Sequence, residues 1–160
     1  MKKAGAVIGL VLILGLSVQA EEIKRHDAWV GFQLTAIHHT TLGGFNFEHG
    51  IGNNLAVGLE INLWFGGLTG MVLSHYLAYH FPLRVSRLDI FVAAGPALAF
   101  GFKMGGTDFR VKLQGGARYW ITANTALYCK LVSELGENEL LSGTGGNTTL
   151  GGTIGLNLRF

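Results

Sequence analysis

The most constraining feature of this sequence is a two-residue alternation of apolar and polar side chains in which charge is confined to one parity. In the run that begins at residue 55, every second position is apolar, namely Leu55, Val57, Leu59, Ile61, Leu63 and Phe65. Eleven charged residues lie in runs of this kind or directly beside them, and each has the parity opposite to the apolar set: Asp27, Glu48, Glu60, Asp89, Lys103, Arg110, Lys112, Arg118, Lys130, Glu134 and Arg159. Because successive side chains of a β-strand point to opposite faces, the pattern predicts a sheet with one charge-free face.

Eight alternating runs follow one another along the chain, over residues 30–36, 45–48, 55–65, 71–81, 88–102, 109–121, 127–135 and 150–160. Turn-forming residues separate them at 38–42, 50–54, 66–70, 84–87, 104–108, 122–125 and 136–146. Period-two runs bounded by turn residues predict strands, so we expect an all-β fold of eight strands.

Residues 1–20 have the pattern of a secretory signal peptide. Lys2 and Lys3 precede an apolar stretch over 4–18, and Ala20 is a small residue just before the acidic pair at 21–22. We therefore expect a signal peptide over 1–20, a short tail over 21–26 and a barrel over 27–160. Without residues 1–20, Lys and Arg fall from 12 to 10 and equal the 10 Asp and Glu. A basic surface for nucleic acid is therefore not expected.

The composition points to a membrane protein. Apolar residues make up 49% of the chain and charged residues only 14%, against about 25% charged residues in soluble domains. Residues 21–160 contain no stretch of about 20 apolar residues that could cross a bilayer as a helix. A single cysteine excludes an internal disulfide framework and a thiolate zinc site.

Alternation alone leaves open whether the charged face is inside or outside, and a soluble lipocalin-like barrel would put it outside. Three observations favour a transmembrane barrel with the charges inside. The aromatic side chains of the apolar parity lie near the two ends of the runs: Phe47, Phe81, Tyr119 and Phe160 at one end, Phe65, Phe102 and Phe109 at the other. The charged face is rich in small residues, as a narrow lumen requires. The strand charges also nearly balance, with five acids and six bases.

The predicted fold is therefore a closed antiparallel eight-stranded transmembrane β-barrel, whose closure pairs every backbone group in lipid. Strand heights predict an interior salt-bridge cluster. The expected pairs are Glu134 with Lys112 or Arg110, Glu48 with Arg159 or Arg118, and Glu60 with Lys130 or Arg118.

The last strand, Leu150-Gly-Gly-Thr-Ile-Gly-Leu-Asn-Leu-Arg-Phe160, resembles the ending of the small bacterial outer-membrane β-barrels of the OmpA and OmpX type. The stretches 47–58 and 115–124 also resemble the strand–turn–strand units of that family. The resemblance covers the chain from residue 21. It implies outer-membrane localisation, contact with outer-membrane lipid and lipopolysaccharide, and recognition by the barrel assembly machinery. We expect no peptidoglycan-binding domain of the OmpA kind, because the sequence stops at the eighth strand. In that family the assembly signal would correspond to Ile154, Leu156, Leu158 and Phe160.

Several residues depart from the simple pattern. Trp29, Trp64 and Trp120 have the inward parity, and bulges at strand ends could redirect them. His75 has the lipid-facing parity, near one strand end. Pro96 lies within a run and lacks an N–H, so we expect a local bulge there.

Residues with enzymatic chemistry are scarce. The His-x-Ser pair that marks outer-membrane lipid A deacylases is absent from the sequence. The adjacent His38 and His39 could offer imidazole ligands, but neighbouring strand residues point to opposite faces. We therefore expect no catalytic, cofactor-binding or metal-binding residue.

The expected protein is a monomeric, non-enzymatic outer-membrane barrel with a structural or surface-contact role and a lumen filled by side chains. Its first three outward loops look short, about five residues each, and the last, about 136–146, is the candidate contact loop. The alternatives are a small conduit for hydrophobic molecules, a lipid A-modifying enzyme and a soluble lipocalin-like barrel.

Overall fold

The computed structural model describes residues 27–37, 40–64, 70–83, 87–102, 106–136 and 148–160. They form eight strands: β1 Ala28–Ile37, β2 Thr40–Gly52, β3 Leu55–Trp64, β4 Gly70–Phe81, β5 Leu88–Gly101, β6 Thr107–Trp120, β7 Thr125–Gly136 and β8 Thr148–Arg159. Each strand pairs with the next in antiparallel fashion, and β8 pairs with β1 to close the barrel. The predicted fold class is confirmed. None of the described residues belongs to a helix that is long and apolar enough to cross a membrane.

Sidedness follows the parity of the sequence. On β1 the even-numbered side chains face outward, with Phe32 63% and Leu34 57% exposed, whereas Gln33 and Thr35 are buried. On β3, Glu60 is fully buried at 0% exposure. The apolar face is therefore outside and the charged face lines the lumen, as the aromatic pattern predicts. Such a surface has the arrangement of a transmembrane barrel, whose outward-facing band is predominantly apolar.

The two ends of the barrel differ. The terminal end carries Asp27 and Phe160, while the loop end carries Ile37 and Thr40. At the terminal end β2 reverses into β3 through Asn53 and Asn54, both of which have left-handed backbones, with φ of 53° and 60°. Asparagine tolerates this conformation better than most residues, which explains its use in the turn.

The first hairpin is tighter than the sequence suggests. The prediction of a turn over 38–42 is wrong for its last three residues, because β2 begins at Thr40 and Leu42 is a strand residue that is 1% exposed. The physical reason is that threonine and glycine residues at 40–44 obscure the alternation. Their pairing with β1, with Ile37 opposite Thr40, nevertheless continues to the strand end.

The expected bulge at Pro96 is not formed. The pairs Ser74–Ala97 and Leu77–Ala94 lie on either side and have the same register, so no residue is inserted. The β4–β5 ladder lacks the two residue pairs between these, since proline has no N–H to donate. The described bulge lies instead between Gly50 and Gly52, beside the β2–β3 turn.

The structure also defines the positions of the three tryptophans and of His75. Trp29 and Trp64 stay inside the barrel at 2% and 4% exposure, and Trp120 is partly buried. Space for Trp64 comes from Gly70, where a Cβ would overlap the indole ring. His75 faces outward as predicted, but at the middle of β4 rather than near its end.

Candidate functional site

The candidate site is the polar interior, which forms three layers along the barrel axis. The terminal layer consists of Glu48, His80, Asp89 and Arg118; the central layer of Gln33, Glu60, Asn62, Lys112 and Lys130; and the loop-end layer of Asp108, Arg110 and Glu134. Every one of these positions has the inward parity of its strand. The alternation of the sequence therefore places all of them in the lumen.

The central layer converges on the carboxylate of Glu60. Lys112 Nζ lies 2.6 Å from Glu60 Oε1, and Lys130 Nζ lies 2.7 Å from Oε2. Gln33 Nε2 and Asn62 Nδ2 also donate to Oε1, at 2.6 and 2.7 Å. These donors come from β1, β3, β6 and β7, so one carboxylate ties together both halves of the barrel.

A second set of hydrogen bonds supports the central layer. Tyr128 donates its hydroxyl to Gln33 Oε1 at 2.6 Å, and Asn46 Nδ2 donates to the Tyr128 oxygen at 3.2 Å. Gln33 also donates to Asn62 Oδ1 at 2.7 Å. The amide of Gln33 is therefore held at both ends, which fixes the donor that it presents to Glu60.

The terminal layer is built around Glu48 and His80. Arg118 Nη2 lies 2.9 Å from Glu48 Oε1, and the Tyr76 hydroxyl donates to Oε2 at 3.1 Å. The two ring nitrogens of His80 face two carboxylates, with Nδ1 2.9 Å from Asp89 and Nε2 3.3 Å from Glu48. Arginine and histidine thus link the two acids across the lumen.

Aromatic rings enclose the terminal layer. Trp29 stacks on His80 with ring centroids 6.0 Å apart. The guanidinium of Arg118 lies over the rings of Trp29 and Phe91, at 5.1 and 5.6 Å from their centroids. Cation–π contact stabilises a desolvated guanidinium in addition to its ion pair.

The loop-end layer is a compact triad. Arg110, which is 0% exposed, contacts Glu134 Oε2 through Nη1 at 2.8 Å and Asp108 Oδ2 through Nη2 at 2.7 Å. This layer has two carboxylates and one cation, whereas the central layer has one carboxylate and two cations. Lys112 is paired opposite Glu134 on β7. The excess charges of the two layers therefore lie next to each other with opposite sign.

Beside the loop-end triad, part of the lumen is apolar. A buried cluster joins side chains from β1 to β5: Ile37, Leu42, Trp64, Val72, Ala97 and Ala99. The sequence analysis characterised the inner face by its charged and small residues and, apart from the inward parity of Trp64, did not identify this cluster. Inward parity alone would have shown it, since all six residues alternate with lipid-facing ones.

The structure forms one contact from each predicted set: Glu134 with Arg110, Glu48 with Arg118 and Glu60 with Lys130. The other alternative of each set is not formed, since Lys112, Arg159 and Arg118 contact other acids. Lys112 contacts Glu60 instead of Glu134, because Arg110 occupies Glu134 and the lysine chain reaches across the lumen.

Arg159 contacts Asp27 at 3.0 Å instead of Glu48. Both Arg159 and Glu48 lie opposite Trp29, on either side of β1, so the indole stands between them. The sequence analysis also missed Gln33, Asn62 and His80 as members of the network. Their inward parity was the available signal.

The residues matched to the assembly signal lie on the outer face of β8 or at its end. Ile154 and Phe160 are 64% and 77% exposed, and Leu156 and Leu158 are partly exposed. The Phe160 N–H donates to the Ala28 carbonyl at 2.9 Å, which closes the barrel at the terminal end.

The candidate metal ligands of the sequence, His38 and His39, lie outside the described residues. Within the described ranges, no group of three His, Cys, Asp or Glu side chains is suited to hold a metal ion.

Comparison with known proteins identifies the fold. No family model matches the chain, and no curated protein matches its sequence. The N-terminal β-barrel domain of Pseudomonas aeruginosa OprF matches with a TM-score of 0.72 and 15% identity, over 85% of this chain and 98% of that one. P. aeruginosa OprG matches with a TM-score of 0.62 and 12% identity, over 90% of this chain and 99% of that one. Neisserial surface protein A matches with a TM-score of 0.58 and 15% identity, over 84% of this chain and 95% of that one. The chain therefore has the fold of the small eight-stranded bacterial outer-membrane barrels, with its apolar face outside and its charged face within.

Proposed function

We propose that this protein is an integral, non-enzymatic component of the bacterial outer membrane that supports the envelope, with a lumen closed by its own side chains. The observation that carries the proposal is the central layer. Glu60 accepts hydrogen bonds from Gln33, Asn62, Lys112 and Lys130, and all five side chains are fully or almost fully buried. Eight strands enclose only enough room for side chains, so a network across the lumen leaves no wide path.

The proposal includes the surroundings of the barrel. Outer-membrane lipid, including lipopolysaccharide in the outer leaflet, would contact the exposed apolar side chains such as Phe32 and Leu34. Recognition by the barrel assembly machinery would use the outward positions Ile154, Leu156, Leu158 and Phe160. The terminal end would face the periplasm, as in the family that the sequence resembles.

Conductance measurements test the closed lumen. Purified protein in a planar bilayer is expected to give no stable open channel. The matched variant Lys112→Ala/Lys130→Ala/Glu60→Ala shortens the three central side chains and removes every charge of the central layer together, and should raise conductance. Steady channels from the wild-type protein, of a size equal to those of the variant, would contradict the proposal.

A deletion strain tests the envelope role. We expect increased sensitivity to detergent and leakage of periplasmic protein, both restored by the wild-type gene. A variant in which residues 137–147 are replaced by a short turn should restore detergent resistance and periplasmic retention as well as the wild-type gene does, since the envelope role rests on the barrel. Failure of that variant would favour the surface-contact role. If the protein has no enzymatic activity, lipid A from the deletion strain and from the wild-type strain should have the same mass spectrum.

A second candidate function, a conduit for hydrophobic molecules, is favoured by the apolar cluster at the loop end. Ala97 belongs to that cluster and adjoins Pro96, where the β4–β5 ladder is interrupted. A lateral route from the loop end into the membrane would bypass the central layer. Uptake of a hydrophobic dye by proteoliposomes should then fall in Ala97→Phe, but not in the lipid-facing control Ala94→Phe. Equal uptake by both variants would exclude this route.

A further inference from the structure

His75 is a polar side chain in the middle of the apolar outer surface. It is the sixth of twelve residues in β4, it is exposed on the outside of the barrel, and it lies opposite Leu59 of β3. Its strand neighbours on the same face are Leu73 and Leu77. Within the described residues, its imidazole has no hydrogen-bond or ion-pair partner. His75 therefore differs from the other histidine of β4, His80, whose ring contacts two carboxylates inside the lumen.

A hydrogen-bonding group in hydrocarbon costs free energy unless it finds a partner. Water is scarce at the middle of a bilayer, and a lipid tail offers neither donor nor acceptor. A neutral imidazole has one donor nitrogen and one acceptor nitrogen. Two such rings can therefore satisfy each other, one donating to the other, and this makes a second copy of the chain the simplest partner of suitable chemistry.

The surface around His75 is asymmetric in a way that suits self-association. On the β3 side it has the branched side chains of Val57 and Leu59. On the β5–β6 side, toward the terminal end, the small residues Ala94 and Gly115 lie level with Leu77 and Tyr79, and the nearest atom to a Cβ placed on Gly115 would be 3.8 Å away. A groove of about 550 Å³ begins here, next to Leu77. Small residues allow close approach between membrane-spanning segments.

We propose that the protein forms a dimer through this face, with the two His75 rings hydrogen-bonded across a two-fold axis. Both copies have the same orientation in the membrane, so the two-fold axis runs along the membrane normal. Residues at the same depth in the two copies therefore face each other. The two-fold rotation exchanges left and right. The ridge at Val57 and Leu59 of one copy then faces the depression at Ala94 and Gly115 of the other. This dimer replaces the monomer expected from the sequence.

Disulfide cross-linking in native membranes tests the interface. The natural Cys129 is exposed on the outside of β7, away from β4, and serves as the internal control. Single-cysteine variants Leu73→Cys and Leu77→Cys, made in a Cys129→Ser background, flank His75 on the same strand. Under mild oxidation we expect a disulfide-linked dimer from at least one of them and only background from Cys129. Equal, low yields from all three would overturn the proposal.

Substitution of His75 separates the hydrogen bond from simple crowding. His75→Leu suits the lipid face and should fold at least as well as the wild type, but should weaken dimerisation about tenfold, or about 1.4 kcal/mol, because the hydrogen bond between the two rings is lost. His75→Gln keeps one donor and one acceptor group and should retain most of the dimer. Equal dimerisation of the wild type and the leucine variant, measured by energy transfer between labelled copies in liposomes, would refute the role of His75.

This inference requires only that the barrel spans a membrane, and it is independent of whether the lumen conducts. A dimer through this face would cover the ladder interruption at Pro96. A positive cross-linking result would therefore count against the lateral conduit, whereas a closed lumen in the bilayer experiment would have no bearing on dimerisation.

Discussion

The two buried carboxylates of the lumen, Glu48 and Glu60, are held in different ways. Glu60 lies in the central layer and receives four donors from lysine and amide side chains at 2.6 to 2.7 Å. Glu48 lies in the terminal layer and is held by Arg118, Tyr76 and His80 at 2.9 to 3.3 Å. The difference shows that depth in the barrel decides which side chains can partner a buried acid.

At mid-depth a donor must cross the lumen, and the long, flexible chains of Lys112 and Lys130 do so from β6 and β7. Near the terminal end, planar rings fill the space, and Arg118 combines its ion pair with cation–π contacts to Trp29. Some polar atoms of this layer, including Arg118 Nε and Trp29 Nε1, have no hydrogen-bond partner within the described residues. The central layer is therefore the more tightly satisfied of the two.

The largest expected effect is that of Glu60→Gln. The substitution leaves two buried ammonium groups without their carboxylate, and breaking a buried pair in this way costs about 3–5 kcal/mol. The loss is measured as the change in the free energy of unfolding in lipid, with heat-modifiable gel mobility followed during a urea titration. Adding Lys112→Met and Lys130→Met should recover most of the loss, because the layer is then uncharged. A triple variant as unstable as the single one would show that the charges are not the cause.

The adjacent residue provides a control on the outer face. Leu59→Arg places a charge on the lipid side, where a cost of about 2–4 kcal/mol is expected near the midplane. The same urea titration applies, with Leu59→Met as the matched neutral change. Wild-type stability and assembly of the arginine variant would contradict the assigned sidedness of the sheet, and with it the comparison of the two buried acids.

Parity made the barrel and the membership of the interior predictable. Since a one-residue shift exchanges the faces of a strand, the alternation places Glu60 and Lys130 on the same face of the sheet, and the aromatic pattern then favours the lumen for that face. Partner choice was harder to predict. Lys112 and Arg110 both lie within reach of Glu134, and only the three-dimensional lumen shows that the lysine extends across to Glu60.

Neutral partners were the least predictable part of the site. Gln33 and Asn62 carry no charge, so a search for ion pairs passes over them, although both donate directly to Glu60. The apolar cluster that contains Trp64 was missed for another reason, because the inner face was characterised mainly by its charged and small residues. Inward parity identifies these positions, but side-chain length and the curvature of the wall decide which of them meet.

Glu48→Gln should have a smaller effect than Glu60→Gln. In this variant Arg118 would still contact Asp89 at 3.5 Å and lie over the rings of Trp29 and Phe91. Its positive charge would therefore still be partly compensated. A cost of about 1–3 kcal/mol is expected for a buried hydrogen-bonding network that loses one charged acceptor. The ratio of the two losses, measured in the same lipid, sharpens the comparison. An effect of Glu48→Gln larger than that of Glu60→Gln would reverse our ranking of the two layers.

The smallest effect is expected at the rim, where Arg159 contacts Asp27 at the terminal end. The two side chains are 19% and 16% exposed, much more than those around Glu60, so water and salt weaken their 3.0 Å contact. Arg159→Gln should therefore cost less than about 1 kcal/mol, and the loss should shrink further when the salt concentration is raised. The loss at Glu60 should change little with salt, since that layer is shielded from solvent. Urea titrations of both variants at low and high salt distinguish the two behaviours. Equal salt dependence at Arg159 and Glu60 would mean that ions reach the central layer, in conflict with a closed lumen.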